Sequence, residues 1–340
     1  MTKYINILRA FKRQHVLVIG DLILDQYIKG TVDRISPEAP VPIVLQNEMF
    51  FTPGGAANVA NNLSSLNAAV TVVGCVGDDR EGRLLKELLR KKHIRTSGIF
   101  DDRRTDTSLK TRIIAHHQQV VRIDREKRVS GDEDDFYRRK VAPYIQKHFK
   151  NFDAVILSDY GKGVVQSALV KDVVTLARKS GVPVVVDPKV EHLKFYGQVT
   201  SITPNRKEAE GALKSLEPET RRRFKIASTR LDSLETVKRS GQGLLKHLGI
   251  DSLLVTLGED GMFLFEAGKG PVHIPTRAQE VFDVSGAGDT VIAVFALAIG
   301  AGARKKEAAD IANHAAGIVV GKMGAASVTQ EELLESLRGA

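Results

Sequence analysis

Along this chain, short runs of consecutive apolar residues that end in glycine or a polar turn alternate with stretches whose apolar positions recur every three or four residues. His15-Val16-Leu17-Val18-Ile19-Gly20 is one such run and predicts a buried strand. A helix over 58–66 follows, then a strand over 70–76. Residues 79–92 carry Leu84, Leu85, Leu88 and Leu89 at helical spacing. The alternation continues with a charged helix over 132–149, a strand at 154–157, a helix over 164–179 and a strand at 182–186. A strand at 201–203, a helix over 206–213, a strand at 253–256 and a helix from Gly288 onward complete it. Units in this order predict an α/β fold, a mainly parallel sheet sandwiched by helices.

Two stretches break the pattern. Residues 40–45 and 108–124 read as exposed antiparallel strands with alternating side chains, which places Lys110 and Arg112 on one strand face. They predict a small β lid, formed from about 27–50 and 105–125, on one domain that occupies residues 1–340. Strand edges left exposed favour a partner, so a homodimer through the lid is expected.

Composition narrows the classes. Hydrophobic residues are 42% and charged residues 27% of the chain, ordinary for a globular protein. Cys75 is the one cysteine, which excludes an intrachain disulfide and a cysteine-based zinc site. The net charge of +9 invites a nucleic-acid reading, but Arg90-Lys91-Lys92 and Arg221-Arg222-Arg223 are short runs in mixed-charge helical surroundings and read as solvated faces. The longest uncharged apolar run, 291–303, is shorter than the roughly 20 residues a membrane span needs. The N-terminus carries no signal-peptide pattern. A cytoplasmic protein with neither a membrane nor a nucleic-acid partner is expected.

The strongest chemical signal is Asp283-Val284-Ser285-Gly286-Ala287-Gly288-Asp289-Thr290, which runs into the apolar stretch beyond. Gly286 and Gly288 permit a tight turn and close approach of a ligand, and the helix that follows offers free N–H groups to an anion. Asp289 is then either a first-turn acid or a group able to accept a proton from a substrate hydroxyl. Pro53-Gly54-Gly55-Ala56-Ala57-Asn58 is a second glycine site; Asn58 is either a helix cap or a two-sided amide for hydroxyl groups. Thr203-Pro204-Asn205-Arg206-Lys207-Glu208 has the spacing of a capping box, and also of a phosphate–magnesium–water network through Asn205 and Glu208. Asp21 and Asp25 fall at the end of the first strand, as turn acids or as ligands for a polyol. Lys110, Arg112, Lys162 and Lys189 are the cations available for an anionic substrate. No Walker P-loop is present, and Gly20-Asp21-Leu22 stands where a dinucleotide-binding turn would need Gly-x-Gly-x-x-Gly. His116-His117 are adjacent strand residues pointing to opposite faces, and they read as surface or lid packing. Cys75, in an apolar strand, reads as a buried small hydrophobe.

Gly54-Gly55-x-x-Asn58, Thr203-Pro204-Asn205-x-x-Glu208 and Asp283-x-x-Gly286-Ala287-Gly288-Asp289 stand in the order found in the ribokinase-like (PfkB) carbohydrate kinases, a family the chain resembles over nearly its whole length. Four further segments resemble one branch of that family, the D-glycero-β-D-manno-heptose 7-phosphate kinases. They are Gly20-Asp21-x-x-Leu24-Asp25-x-Tyr27, Arg34-Ile35-Ser36-Pro37-Glu38-Ala39-Pro40-Val41-Pro42, Leu157-Ser158-Asp159-Tyr160-x-Lys162-Gly163 and Val186-Asp187-Pro188-Lys189. The resemblance implies ATP-dependent phosphorylation of the anomeric hydroxyl of the heptose phosphate to the 1,7-bisphosphate, for the lipopolysaccharide inner core. Many relatives fuse this kinase to a nucleotidyltransferase domain, and with the chain stopping at Ala340 the kinase alone is expected.

Residue by residue, the resemblance makes Asp289 the catalytic base and Gly286, Ala287 and Gly288 its anion hole. Asn205 and Glu208 take the phosphate and Mg²⁺ positions. Thr256, Gly258 and Gly261 border the nucleotide, and Asn313 lies beside the adenine. Asp283 and Ser285 match two ligand positions of a K⁺ site, to which the loop over 322–327 would add carbonyls. Asp21, Asp25, Gly54, Gly55 and Asn58 fall to the sugar. Val291 departs from the Phe common in the family, a packing difference inside an apolar helix.

Overall fold

The computed structural model describes all residues except 1, 117, 127–136, 279, 323, 325 and 340. Its strands are β1 (His15–Gly20), β2 (Leu22–Ile35), β3 (Pro42–Gly55), β4 (Ala69–Gly77), β5 (Arg95–Asp102), β6 (Ser108–Ala115), β7 (Gln118–Arg125), β8 (Ala154–Ser158), β9 (Val184–Asp187), β10 (Ser201–Ile202), β11 (Ser252–Thr256), β12 (Met262–Glu266) and β13 (Val272–Ile274). Among the described residues they form a nine-stranded sheet in the order β13-β12-β11-β10-β9-β8-β1-β4-β5, and a four-stranded sheet in the order β3-β2-β6-β7. In the larger sheet only β12 runs antiparallel to its neighbours.

Both faces of the larger sheet are covered, so its strands read as continuous apolar runs rather than alternating ones. In β1, Val16 and Val18 pack into one core with the helices Ala56–Ser65, Ala287–Gly300 and Lys305–Val320. Leu17 and Ile19 pack into the other, with the helices Ala142–His148, Ser167–Ser180, Arg206–Ser215 and Leu234–Leu248. The helix Ala287–Gly300 is apolar all round and buried from Asp289 to Ala298. The long apolar run of the sequence is therefore a core helix. Among the described residues no helix is long and apolar enough to cross a membrane.

The second sheet is larger than the sequence pattern indicates. β2 starts one residue after β1 ends, and β3 runs directly into the helix Ala56–Ser65. The lid is expected from about residue 27, and β2 starts earlier: Leu22-Ile23-Leu24 is buried on both faces, and two register shifts leave the polar remainder without steady alternation. β2 also pairs with β6 in parallel, whereas β2–β3 and β6–β7 are antiparallel as expected.

Three further expectations change. The helix over 132–149 is described only from Tyr137, and it is composite: a π-turn at Tyr137–Val141, the α-helix, then a 3-10 turn at Phe149–Asn151. Cys75 is half-buried rather than core, and its thiol is pushed up to about 12, chiefly by desolvation, so it is not a thiolate at neutral pH. His116 sits in the β6–β7 turn with positive φ and its Nε2 beside the Val32 backbone, while His117 lies outside the described residues.

β1 and β8 meet closely where they deliver the chain to the site. A Cβ on Gly20 would stand 2.1 Å from the Ser158 carbonyl oxygen. Gly20→Ala is expected to lower stability by about 1–3 kcal/mol, read as a lower urea midpoint. Gly270→Ala, with open space around its Cβ, should leave the midpoint unchanged.

Candidate active site

Open α/β sheets bind ligands at the carboxyl ends of their strands. Here that edge receives the end of β1, the segment after β8, the end of β9 and the start of the helix Ala287–Gly300. A cleft at this edge is lined by Ile23, Asp25, Tyr27, Gly55, Asn58, Lys110, Arg112, Tyr160, Ser285, Gly286 and Asp289. The sequence candidates Asp25, Gly55, Asn58, Lys110, Arg112, Ser285, Gly286 and Asp289 are thus brought together from four separate stretches of chain.

Asp289 sits in the first helical turn, 7% exposed. Asn58 Nδ2 donates to its Oδ2 at 2.7 Å, and the Tyr160 hydroxyl donates to its Oδ1 at 2.9 Å. Desolvation pushes its carboxyl up to about 6, with Asp25 adding to the rise and the two hydrogen bonds opposing it. Asn58 Oδ1 is buried without a protein partner, so this side chain holds the carboxylate with one end and keeps an acceptor available with the other. Gly286 caps the helix in the left-handed region, φ 77°. Of the three expected anion-hole amides, that of Ala287 is engaged here by the Val284 carbonyl at 3.2 Å. Gly288 lies in the first turn, where N–H groups lack intrahelical acceptors.

The opposite wall is the second sheet. The parallel register sets Asp25 beside Lys110 and Tyr27 beside Arg112. Arg112 Nη1 donates to Asp25 Oδ1 at 2.6 Å, and its guanidinium lies 5.3 Å from the Tyr27 ring centroid. Tyr27 stacks on Phe50 at 5.0 Å, and Lys29 caps the Phe50 ring at 4.9 Å. Gly54 makes room for the acid, since a Cβ there would stand 2.5 Å from Asp25 Oδ2.

Other candidates sit elsewhere than expected. Asp21, 1% exposed, does not line this cleft; its carboxylate accepts the backbone N–H groups of Tyr160, Lys162 and Val164 at 2.8, 3.0 and 3.1 Å. Burial still pushes it to about 6. Lys162 turns to a separate cavity beyond Asp21, where its ammonium pairs with Glu126. Lys189 lies along Gly161, pairs with Glu191 at 3.7 Å and opposes the rise of the Glu208 carboxyl, and it does not line this cleft.

Asn205 and Glu208 form a full capping box: Asn205 Oδ1 accepts the Glu208 N–H at 3.0 Å and Glu208 Oε2 accepts the Asn205 N–H at 2.8 Å. Burial raises the Glu208 carboxyl. Thr256 lies beside Asn205 through a backbone bridge. Gly258 and Gly261, both at positive φ, close a tight turn there. Asn313 is buried and its Nδ2 donates to the Pro275 carbonyl at 2.6 Å, so it shapes the segment after β13. Asp283 accepts the Ser285 and Gly324 N–H groups at 2.8 and 3.1 Å, tying two loops together; residues 323 and 325 of the expected cation loop lie outside the described residues. Among the described residues no group of three or more His, Cys, Asp or Glu converges as a metal cluster.

Two residues escaped selection. Tyr160 contacts Asp289 directly. Asp187, at the end of β9, is pushed well above the usual range by desolvation, with Asp289, Glu208 and Asp159 adding to it. The signal for both was their place in the motifs at the ends of β8 and β9, where neither was assigned a role.

The geometry fixes a pH dependence. If Asp289 accepts a proton, it must be ionised, so kcat falls as pH drops through about 6. Asn58→Ala removes a hydrogen bond that favours the charged form. The acid limb of the pH–kcat profile should then move to higher pH, with a larger loss at pH 6 than at pH 8.

A model of the pfkB family carbohydrate kinases matches residues 13–332. The chain is 42% identical over 334 residues to the bifunctional protein HldE of Pelobacter propionicus, covering 98% of this chain and 65% of that one. It is 43% identical over 323 residues to HldE of Geobacter sulfurreducens, covering 95% and 63%. The chain thus spans less than two thirds of the length of these curated relatives. Among solved structures, Arabidopsis thaliana ribokinase complexed with ribose and ATP superposes with a TM-score of 0.70 at 21% identity, covering 96% of this chain and 99% of that one. Escherichia coli phosphofructokinase-2 in complex with potassium gives 0.75 at 16%, covering 96% and 98%. The fold is ribokinase-like, and the chain belongs to the pfkB family of carbohydrate kinases.

Proposed function

We propose that this kinase transfers the γ-phosphoryl of ATP to the anomeric hydroxyl of D-glycero-β-D-manno-heptose 7-phosphate, giving the 1,7-bisphosphate used in ADP-heptose synthesis for the lipopolysaccharide inner core. The observation that carries this reading is the cleft in which buried Asp289, held by Asn58 and Tyr160, faces Asp25, Lys110 and Arg112 across a few side chains. The branch motifs support the heptose. A kinase for another sugar or sugar phosphate is the alternative.

The anomeric O–H gives its proton to Asp289 as its oxygen bonds to the γ-phosphorus; the bond from that phosphorus to the bridging oxygen breaks and ADP leaves. Amides at the start of the helix, those of Gly286 and Gly288 first, offset charge on the transferred group. Asp25 and Asn58 take sugar hydroxyls, with Gly54 and Gly55 letting the backbone close in. Arg112 is partly neutralised by Asp25, which leaves Lys110 as the cation for the distal phosphate. Thr256, Gly258 and Gly261 border the nucleotide. Glu208, with hard oxygen donors and one oxygen outside the capping box, fits a water-mediated hold on Mg²⁺, which supplies charge neutralisation on the phosphates. Asp283, each oxygen of which accepts one amide, retains lone pairs compatible with K⁺.

The four-stranded sheet serves as the lid of a single kinase domain. Its outer face carries exposed Met49, Val121 and Ile123, with Ile35 and Leu45 nearby, and this apolar surface supports a homodimer through the lid. Use of ATP fits a cytoplasmic enzyme.

ADP release with Mg-ATP should be confined to the heptose 7-phosphate when it is compared with ribose, fructose 6-phosphate and adenosine. Asp289→Asn should lower kcat ~10²–10⁴-fold, and Lys110→Ala should mainly raise KM for the phosphorylated sugar. Turnover of ribose in preference to the heptose phosphate would overturn the substrate assignment. Light scattering should give a dimer mass for the native chain and a monomer mass for Ile123→Asp.

A further inference from the structure

Two buried acids grip the short loop that carries Tyr160. Alternate amides of the loop point in opposite directions: those of residues 160, 162 and 164 donate to Asp21, while that of Gly161 donates to Asp159 Oδ1 at 2.8 Å. Positive φ at Gly161 and Gly163, 70° and 105°, permits this course. The Asp159 side chain is 1% exposed. Its other oxygen accepts the Tyr196 hydroxyl at 2.6 Å and meets His192 Nδ1 at 2.7 Å. Tyr196 is 1% exposed and its oxygen in turn accepts the Lys189 N–H at 3.0 Å. His192 stacks on Phe195 at 4.9 Å.

We infer that Asp159 is a positioning residue for Asp289: with Tyr196 and His192 it holds the loop so that the Tyr160 hydroxyl stays on the Asp289 carboxylate, and through Tyr196 it fixes the backbone at Lys189. The inference rests on Asp289 being the general base. Asp159 touches neither the cleft nor Asp289, yet one residue separates it from each of the contacts that matter. A buried carboxylate with three donors holds all of them in place, because loss of any one leaves charge uncompensated in a low-dielectric setting. The network therefore links Tyr160, on Asp289, to the backbone at Lys189, whose ammonium pairs with Glu191 at 3.7 Å. Around Asp289 itself the titratable and polar groups are Asn58 from the helix Ala56–Ser65, Tyr160 from the loop, Asp25 from β2, Lys110 and Arg112 from β6, and, through its charge, Asp187 from β9.

The test is a carbon-13 NMR titration of the Asp289 carboxyl in the nucleotide-free chain, assigned by the signal lost in Asp289→Asn. Tyr160→Phe should raise the titration midpoint by about 0.5–1 pH unit, since it removes a donor to the charged form. Asp159→Asn should raise it in the same direction, and the double variant should move it no further than Tyr160→Phe alone. In turnover, Asp159→Asn should lower kcat ~10-fold with KM changed little, again without adding to Tyr160→Phe. A midpoint that moves in Tyr160→Phe but not in Asp159→Asn overturns the proposal, as do losses that multiply in the double variant. Should Asp159→Asn fail to fold, Tyr196→Phe and His192→Ala each remove one partner, and midpoints unmoved in both overturn it equally. The titration needs no acceptor sugar, so failure of the base assignment shows separately, as turnover unaffected by Asp289→Asn while the carboxyl still titrates.

Discussion

A carboxylate buried at the head of an apolar helix is the constraint around which this site is arranged. Raising Asp289 from 3.8 to about 6 costs the fold about 3 kcal/mol at neutral pH, where the group is charged in a setting that disfavours charge. That cost is limited by two donors from opposite sides, Asn58 and Tyr160, and by the first-turn amides of its own helix. The same poise makes the group a better base than a solvated aspartate while leaving it ionised at pH 7. Desolvation supplies the basicity, and the hydrogen bonds set its limit.

Each donor must itself be held. Asn58 is fixed by the helix Ala56–Ser65, which is packed against the helix Ala287–Gly300 and buried for most of its length. Thr290, next to Asp289, donates to Asn62 Oδ1 at 2.9 Å one turn further along, so the two helices are pinned at successive turns. Tyr160 sits on a loop, the less rigid support, and there the chain places acids beneath the backbone instead of apolar packing. Asp21 is the clearest instance: three amides fall within reach of its carboxylate, so this buried acid anchors the loop.

The strand–helix alternation, and with it the mainly parallel sheet, was legible because strands buried on both faces leave unbroken apolar runs. The Gly286–Asp289 turn was legible because few other residue types permit a left-handed cap followed by a free helix start. The roles of Tyr160 and Asp187 were not: each is a single residue at or just past a strand end, and the partner of Tyr160 lies 129 positions away. The four cations were a set in the sequence and are divided in space. Lys110 and Arg112 face the cleft, while Lys162 and Lys189 follow strands whose connecting loops carry them aside, which strand-end position alone does not reveal.

The register of the second sheet then decides which two cations face inward. Side chains on a strand alternate, so Asp25, Tyr27, Lys110 and Arg112 share one face because Asp25 pairs with Lys110 and Tyr27 with Arg112. Met49, paired with Ile28, and Ile123, paired with Thr111, fall on the other. A slip of one residue would turn the charged set to solvent and the apolar set into the cleft. The bulges in β2 lie beyond Ile28, past the cleft-facing residues, so irregularity is confined to the outer half of the strand. One sheet thus presents a polar, charged face to the cleft and an apolar face that water disfavours. Covering the apolar face would stabilise the same register that keeps Lys110 and Arg112 in the cleft, because the two faces of one sheet cannot slip independently.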